Sequence, residues 1–121
     1  MTYRLEIVTE VRDWLHELRR TDRGSAALAG QAITALLAEP PSLRRPLVDR
    51  IKGSTLHNLK ELRPSSTGTT EIRILFVFDP ARNAVLLVAG DKAGQWDRWY
   101  RQAIPLAVVR YETYLKEKEG A

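Results

Sequence analysis

The sequence predicts an α+β domain, in which an antiparallel sheet of about four strands packs against helices from both ends of the chain. Short apolar runs with strand-like alternation occupy the middle of the chain, two amphipathic helical segments precede them, and one helical segment follows. The 121 residues contain no linker, repeat or low-complexity segment, so residues 1–121 are predicted to form a single domain with one core.

The N-terminal part is predicted to be a short strand followed by a helical hairpin. Tyr3 to Ile7 alternates apolar and charged residues, as a half-buried strand does. Thr9 is the predicted N-cap of the first helix. The apolar face of that helix consists of Val11, Trp14, Leu15 and Leu18. After a turn at 22–24, a second helix is predicted from about Ser25 to Glu39, where Pro40 and Pro41 end it.

Three strands and a final helix are predicted to follow. A loop or short strand at 42–58 leads into an antiparallel meander. Its strands are Leu59–Arg63, Glu71–Asp79 and Ala84–Ala89. The last of these is apolar on both faces, which predicts a central, covered strand. From Gln95 to about Lys118 the pattern is helical, and Pro105 predicts a kink there or two helices that meet.

The strand 71–79 has two faces of different character. Its natural core face, expected to pack on the helices, consists of Ile72, Ile74, Phe76 and Phe78. Arg73 emerges on the opposite face, and Arg63 ends the preceding strand across the hairpin. Two neighbouring arginines repel each other unless an anion lies between them, which predicts a phosphate site. The alternative is that a nearby acidic residue, Glu61, Glu71 or Asp91, neutralises them.

The positive charge of the chain is concentrated in one segment. The net charge is +4 with a pI of about 9.7. Between Pro41 and Arg63 lie six basic and two acidic residues, and the remainder of the chain is neutral. The basic residues are Arg44, Arg45, Arg50, Lys52, Lys60 and Arg63. This concentration favours binding to nucleic acid or another polyanion, with a merely solvated loop as the alternative.

Further basic and polar residues are candidates for contacts to a bound phosphate or polyanion. Lys92 follows the third meander strand and reaches the arginine surface if that strand adjoins the Arg73 strand. Lys52 and Lys60 are candidate outer phosphate contacts, or otherwise residues that keep the protein soluble. His57 is a candidate acid or base, although a single loop histidine is more often solvated. Tyr100 could stack on a base or donate a proton, and the alternative is packing beside its tryptophan neighbours.

Several function classes are excluded or disfavoured. The chain has no cysteine, which fits a reducing cytoplasm and excludes disulfides and thiolate chemistry. Its start does not resemble a signal peptide, and no apolar stretch is long enough for a membrane span. Neither a nucleotide-binding loop nor a zinc-protease or hydrolase motif is present, and two histidines without cysteine argue against a metal site. No cofactor is expected.

Three segments resemble the HigB-like, phage-related branch of the RelE/ParE toxin superfamily. They are Leu56 to Arg63, Ile72 to Pro80, and Val85 to Lys92. The element order matches as well, so the resemblance covers nearly the whole chain. It implies a microbial-RNase-type fold and a metal-free mRNA interferase that cuts mRNA on the ribosome by attack of a 2′-hydroxyl on the phosphate. It also implies a cytoplasmic protein with a helix-turn-helix antitoxin as partner.

The resemblance also implies site residues. Arg63 and Arg73 match the strand arginines of the family, Lys92 the basic residue after the last core strand, and Tyr100 a tyrosine of the C-terminal helix. Asp91 and His57 are loose matches to the aspartate and histidine of HigB proteins, and Glu61 stands where RelE-like members have a lysine. The predicted catalytic residues are Arg63, Arg73, Lys92, Asp91 and Tyr100, and the predicted RNA-binding residues are Lys52, His57, Lys60, Arg44 and Arg45. The alternatives are a ParE-like gyrase inhibitor without nuclease activity and a non-catalytic RNA-binding module of phage origin.

Overall fold

A five-stranded mixed sheet with helices on both faces forms the centre of the molecule, with strands in the order β1-β5-β4-β3-β2. The computed structural model describes residues 3–38 and 47–120. The strands are β1 (Arg4–Ile7), β2 (Val48–Arg50), β3 (Lys60–Leu62), β4 (Ile72–Phe78) and β5 (Asn83–Asp91). The helices are α1 (Thr9–Thr21), α2 (Arg23–Ala38) and α3 (Trp96–Glu119). None of the helices in these ranges is long and apolar enough to span a bilayer.

The predicted α+β fold and the antiparallel meander β3-β4-β5 are confirmed. The sheet has five strands where about four are predicted, and one of its pairs, β1 with β5, is parallel. The basic segment contributes a fifth strand, β2, which pairs antiparallel with β3 because its buried Val48 faces the sheet core. β1 joins the opposite edge parallel to β5, because the helical hairpin carries the chain away from that edge before the sheet continues. β5 lies between β1 and β4 and is therefore an interior strand, as its apolar sequence predicts.

Both faces of the sheet are buried, whereas the sequence indicated only one core face for β4. Ile74 and Phe76 pack towards α1 and α2, as predicted. The other face packs on α3 through Leu75 and Val77, so the face that carries Arg73 is also largely apolar. Leu59 of the neighbouring segment joins this second core. Arg73 consequently lies at the edge of a covered face and not on an open one.

A β-bulge in β5 decides which residues face α3. Leu75 pairs with Val88, but the next residue of β4, Phe76, pairs with Leu86, so Leu87 is the extra residue. Leu87 and Val88 both contribute to the α3-side core. The bulge reverses the alternation of β5 beyond this point. Even-numbered residues, including Lys92, are thereby turned towards α3.

The helix boundaries differ from the prediction in two places. Thr9 is not the N-cap of α1; Val8 holds that position, and no side chain caps the helix. The Val8 carbonyl accepts the backbone N–H of Arg12 at 3.1 Å and so begins the helix one residue earlier. The predicted second helix is also longer at its start, from Arg23, and its predicted end at Glu39 to Pro41 lies outside the described residues.

Pro105 does not divide the last helix. α3 runs without interruption from Trp96 to Glu119 with the proline inside it, so the two-helix alternative is wrong. Pro105 removes one backbone donor, which would leave the carbonyl of Arg101 unpaired. Both residues are exposed, so water can satisfy that carbonyl. Burial of the opposite side of α3, through Ala103 and Ala107, keeps the helix on the sheet.

Candidate functional site

A cluster of polar side chains lies where the α3 face of the sheet meets the first turns of α3. Leu75 pairs with Glu61 across β3 and β4, which places Glu61 on the α3 face. Continuing that register sets Arg63 opposite Arg73. Lys92 follows β5, and Tyr100 reaches the cluster from α3. We call Glu61, Arg63, Arg73, Lys92 and Tyr100 the β3–β5 cluster.

Glu61 is the centre of this cluster. The residue is only 3% exposed, and both carboxylate oxygens are engaged. One oxygen accepts a hydrogen bond from Arg63 Nε at 2.9 Å, and the other accepts one from the Tyr100 hydroxyl at 2.6 Å. Arg63 Nη1 also lies 3.8 Å from a carboxylate oxygen of Asp49 on β2. The charge of Arg63 is thus compensated by carboxylates, as the alternative interpretation of the sequence had it.

Arg73 is bound differently from Arg63. Its Nη1 donates to the backbone carbonyl of Ile72 at 2.8 Å, and its buried Nε has no hydrogen-bond partner. Within residues 3–38 and 47–120, no carboxylate forms an ion pair with Arg73. An unpaired buried donor costs roughly 1–3 kcal/mol, and such a donor calls for an explanation. Among the described residues, Arg73 is therefore the arginine of the cluster without a carboxylate in an ion pair with it.

Lys92 is a buried cation beside the two arginines. It is 3% exposed, and its ammonium lies 4.0 Å from the ring centroid of Trp96 and 5.1 Å from that of Tyr100. Burial lowers the pKa of Lys92, and the charge of Arg73 lowers that pKa further. Glu61 opposes this effect. Lys92 is therefore a cation whose charged form is disfavoured first by burial and next by the neighbouring charge of Arg73.

Tyr100 supplies a protonated hydroxyl. Burial raises the pKa of Tyr100 to about 12, and the hydrogen bond to Glu61 and the charge of Glu61 add to the effect. The phenol is therefore a hydrogen-bond donor throughout the neutral range. Its position is fixed by an edge-to-face contact with Trp99 at 5.2 Å between ring centroids.

Gly90 and Trp99 set the distance between α3 and the sheet. Gly90 pairs with Arg73 across β4 and β5. A Cβ at this position would overlap the Trp99 indole, with Cε2 at 3.0 Å and Cζ2 at 3.1 Å. Only a glycine permits this close approach, so the first turn of α3 rests directly on the backbone of β5.

The side chain of Asp91 forms hydrogen bonds to backbone groups. Its Oδ1 accepts the N–H of Glu71 at 2.9 Å and that of Ala93 at 3.0 Å. The N–H of Lys92 donates to the Glu71 carbonyl at 3.0 Å in the same turn. Asp91 thus connects the start of β4 to the end of β5 and holds Lys92 in place. The catalytic role of Asp91 stays a prediction.

The predicted RNA-binding residues do not gather around the cluster. Lys52 and His57 are exposed in the segment between β2 and β3. Lys60 alternates with Glu61, so it points to the α1/α2 side, with its ammonium 5.5 Å from the Phe78 ring centroid. Arg44 and Arg45 lie outside the described residues. The cluster therefore does not include Lys60.

Two residues of the site region, Glu61 and Trp96, are not among the residues predicted from the sequence. The spacing of two between Glu61 and Arg63 on a strand could have indicated that both lie on one face. Nothing in the helical pattern shows that Trp96 is 58% exposed. Within the described ranges, no group of three or more His, Asp or Glu residues is arranged to hold a metal ion.

The chain is similar in sequence to a described protein family and to two named proteins. Residues 13–112 match the family described as "Phage derived protein Gp49-like (DUF891)". The chain is 48% identical to the putative toxin HigB3 of Mycobacterium tuberculosis, over 94% of this chain and 95% of that protein. It is 46% identical to the putative toxin HigB2 of the same organism, over 93% of this chain, and spans about half of that longer protein, 54%.

The fold is also similar to a solved structure. A double mutant of the Escherichia coli toxin RelE in its free state superposes with a TM-score of 0.61, at 11% sequence identity. The alignment covers 87% of this chain and 97% of that one. At this identity the similarity concerns the fold alone.

Proposed function

The chain belongs to the Gp49-like family and to the HigB-like branch of the RelE superfamily, and on this premise we propose that it is the toxin of a toxin–antitoxin pair. Its activity is endoribonucleolytic: it cuts mRNA on the ribosome, in the cytoplasm, without a metal ion. One observation carries the proposal. Arg73, a cation without a described carboxylate partner, lies in the β3–β5 cluster beside Lys92 and Arg63.

The reaction needs a cationic site for the phosphate. The 2′-hydroxyl of a ribose attacks the adjacent phosphorus, the bond to the 5′-oxygen of the next nucleotide breaks, and a 2′,3′-cyclic phosphate remains. The hydroxyl loses its proton and the leaving oxygen gains one. Negative charge accumulates on the phosphate oxygens in the transition state, where fixed cations stabilise it most strongly. Arg73 binds these oxygens directly, and Arg63 assists from the adjacent strand.

The other cluster residues have distinct parts in the proposal. Lys92, buried behind the aromatic rings, adds positive potential without direct contact to the phosphate in this arrangement. Tyr100 keeps its single hydroxyl proton because of its raised pKa, and it donates to the leaving oxygen once its hydrogen bond to Glu61 is exchanged for one to the substrate. Glu61 is a positioning residue, since it orients Arg63 and Tyr100 through its two carboxylate oxygens. The residue that accepts the 2′-hydroxyl proton is not assigned.

The partner in the proposal is a helix-turn-helix antitoxin encoded by the adjacent gene. Two relatives are named putative toxins HigB3 and HigB2. The resemblance to HigB-like toxins implies a neutralising antitoxin. Release from the antitoxin then gives the toxin access to mRNA on ribosomes.

Controlled expression in bacterial cells tests the proposal. The wild-type chain should arrest growth, co-expression of the adjacent gene should relieve the arrest, and Arg73→Ala should abolish it while keeping the fold and antitoxin binding. Arg12→Ala is the matched control, because Arg12 is an exposed arginine of α1 on the opposite side of the sheet. Unchanged toxicity of Arg73→Ala would refute the assignment. Arrest with DNA-damage signalling and uncut mRNA would identify a gyrase inhibitor instead.

A further inference from the structure

Trp96 is an exposed indole at the rim of the β3–β5 cluster. It is the first residue of α3 and is 58% exposed, whereas its helix neighbour Trp99 is 8% exposed. Trp99 and Tyr100 point inwards, towards Gly90 and Glu61 respectively. An exposed tryptophan is unremarkable on an arbitrary surface but informative beside a cationic site.

One face of the Trp96 ring is occupied and the other is open. The Lys92 ammonium lies 4.0 Å from the ring centroid, which places the cation over one face of the indole. Since Trp96 nevertheless keeps 58% of its surface exposed, the opposite face is turned to solvent. The cation–π contact holds the ring in a defined orientation. Trp96 therefore presents a flat, preoriented π surface.

We propose that the open face of Trp96 is the stacking platform for one unpaired nucleobase of the RNA bound at Arg73. The inference rests on the proposed function and adds the recognition of a base to that of the phosphate. Single-stranded RNA is typically held by cations along its backbone and by aromatic rings beneath its bases. Lys92 joins the two parts here, because its ammonium contacts Trp96 and its charge interacts with that of Arg73. A purine, with its larger ring system, is the preferred occupant.

Three variants separate stacking from bulk and folding. Trp96→Phe keeps an aromatic face, whereas Trp96→Leu keeps apolar bulk but has no π surface. Loss of one base–aromatic stack reduces binding by roughly 5- to 150-fold. Trp96→Leu should therefore show kcat/KM reduced by the same factor. Trp96→Phe should retain most of the activity. Gln102→Ala is the control, since Gln102 is exposed on α3 and is not a residue of the cluster.

The decisive experiment removes the base instead of the side chain. Cleavage is measured on mRNA bound to stalled ribosomes, with an abasic nucleotide placed in turn at each position around the cut. At one position, base removal should slow the wild type by roughly 5- to 150-fold and Trp96→Leu by less than about twofold. Equal losses in both proteins at every position, or no loss at any, would overturn the stacking proposal while leaving the nuclease proposal intact.

A fluorescence measurement distinguishes failure of the inference from failure of the proposed function. The same RNA with 2′-O-methyl riboses cannot be cut, and a base stacked on Trp96 should quench indole emission in the wild type but not in Trp96→Phe. Base-dependent quenching without any cleavage of normal RNA would support stacking and refute the nuclease. Cleavage without such quenching would support the nuclease and overturn stacking, and absence of both would overturn both.

Discussion

Gly90→Ala is the substitution whose effect follows most directly from the geometry. The added methyl group would overlap the Trp99 indole at Nε1 and approach Cε2 to 3.0 Å and Cζ2 to 3.1 Å. Trp99 is 8% exposed within the α3-side core, so the ring cannot swing aside without opening that core. The start of α3 must therefore move away from β5, and Tyr100 moves with it.

The magnitude can be worked out from this contact. Overpacking of a dense core costs roughly 1–3 kcal/mol, and three indole atoms in conflict indicate the upper end. Replacing a glycine inside a strand returns roughly 0.5–1 kcal/mol of conformational entropy. The net loss of unfolding free energy is thus about 2 kcal/mol. With an unfolding entropy of roughly 2.1 cal/mol/K per residue over 121 residues, the melting temperature falls by about 8 °C.

Urea and thermal unfolding measure this loss against a matched control. Gly30 lies in α2 with no atom near its missing Cβ, so Gly30→Ala should stabilise the protein by roughly 0.5–1 kcal/mol. The double variant Gly90→Ala with Trp99→Phe should be more stable than the sum of the single changes, because phenylalanine lacks the atoms that clash. If Gly90→Ala and Gly30→Ala stabilise the protein alike, or if the double variant is strictly additive, the reasoning is wrong.

Three further changes test the polar contacts. Glu61→Gln should reduce RNA cleavage by roughly 100-fold, because Arg63 and Tyr100 lose the carboxylate that positions them. The pKa of Tyr100 should fall below about 12, since burial still raises it but the charge of Glu61 no longer does. Absorbance at 295 nm measures this pKa, and an unchanged value would contradict the contact. Since the pKa of Lys92 is lowered from 10.5, Lys92 should lose its charge at a lower pH than an ordinary lysine, and cleavage should decline with it. Lys92→Arg should remove this alkaline decline, because arginine keeps its charge. A decline that persists in Lys92→Arg would come from another group. Tyr114→Phe should lower the free energy of unfolding in urea by roughly 1–2 kcal/mol, because buried Asp79 loses a hydrogen bond of 3.2 Å, and cleavage should be unaffected. A loss of cleavage at unchanged stability would contradict this purely structural role.

Much of the arrangement follows from local sequence patterns. Strand alternation alone separates Arg73 from the face of Ile74 and Phe76, and the hairpin turn brings Arg63 opposite it. The uninterrupted apolar run of β5 predicts its central position. These features depend on residues close in sequence, so periodicity and turn chemistry are sufficient to predict them.

Other features depend on contacts that periodicity does not encode. The bulge at Leu87 reverses the alternation of β5, and without it Lys92 would face α1 and α2. The exposure of Trp96 beside buried Trp99 depends on where α3 meets Gly90, a contact set by the packing of the whole helix. The compensation of Arg63 by Asp49 needs β2, a strand of only three residues with a weak signal.

The chemistry of RNA ends tests the central claim most directly. Transcripts are collected from cells arrested by the wild-type chain, and their new 3′ ends are mapped and treated to distinguish hydroxyl from phosphate termini. The account predicts internal cuts that end in a 2′,3′-cyclic phosphate or a 3′-phosphate, which disappear with Arg73→Ala. Intact transcripts in arrested cells, or cuts that persist unchanged with Arg73→Ala, would contradict it.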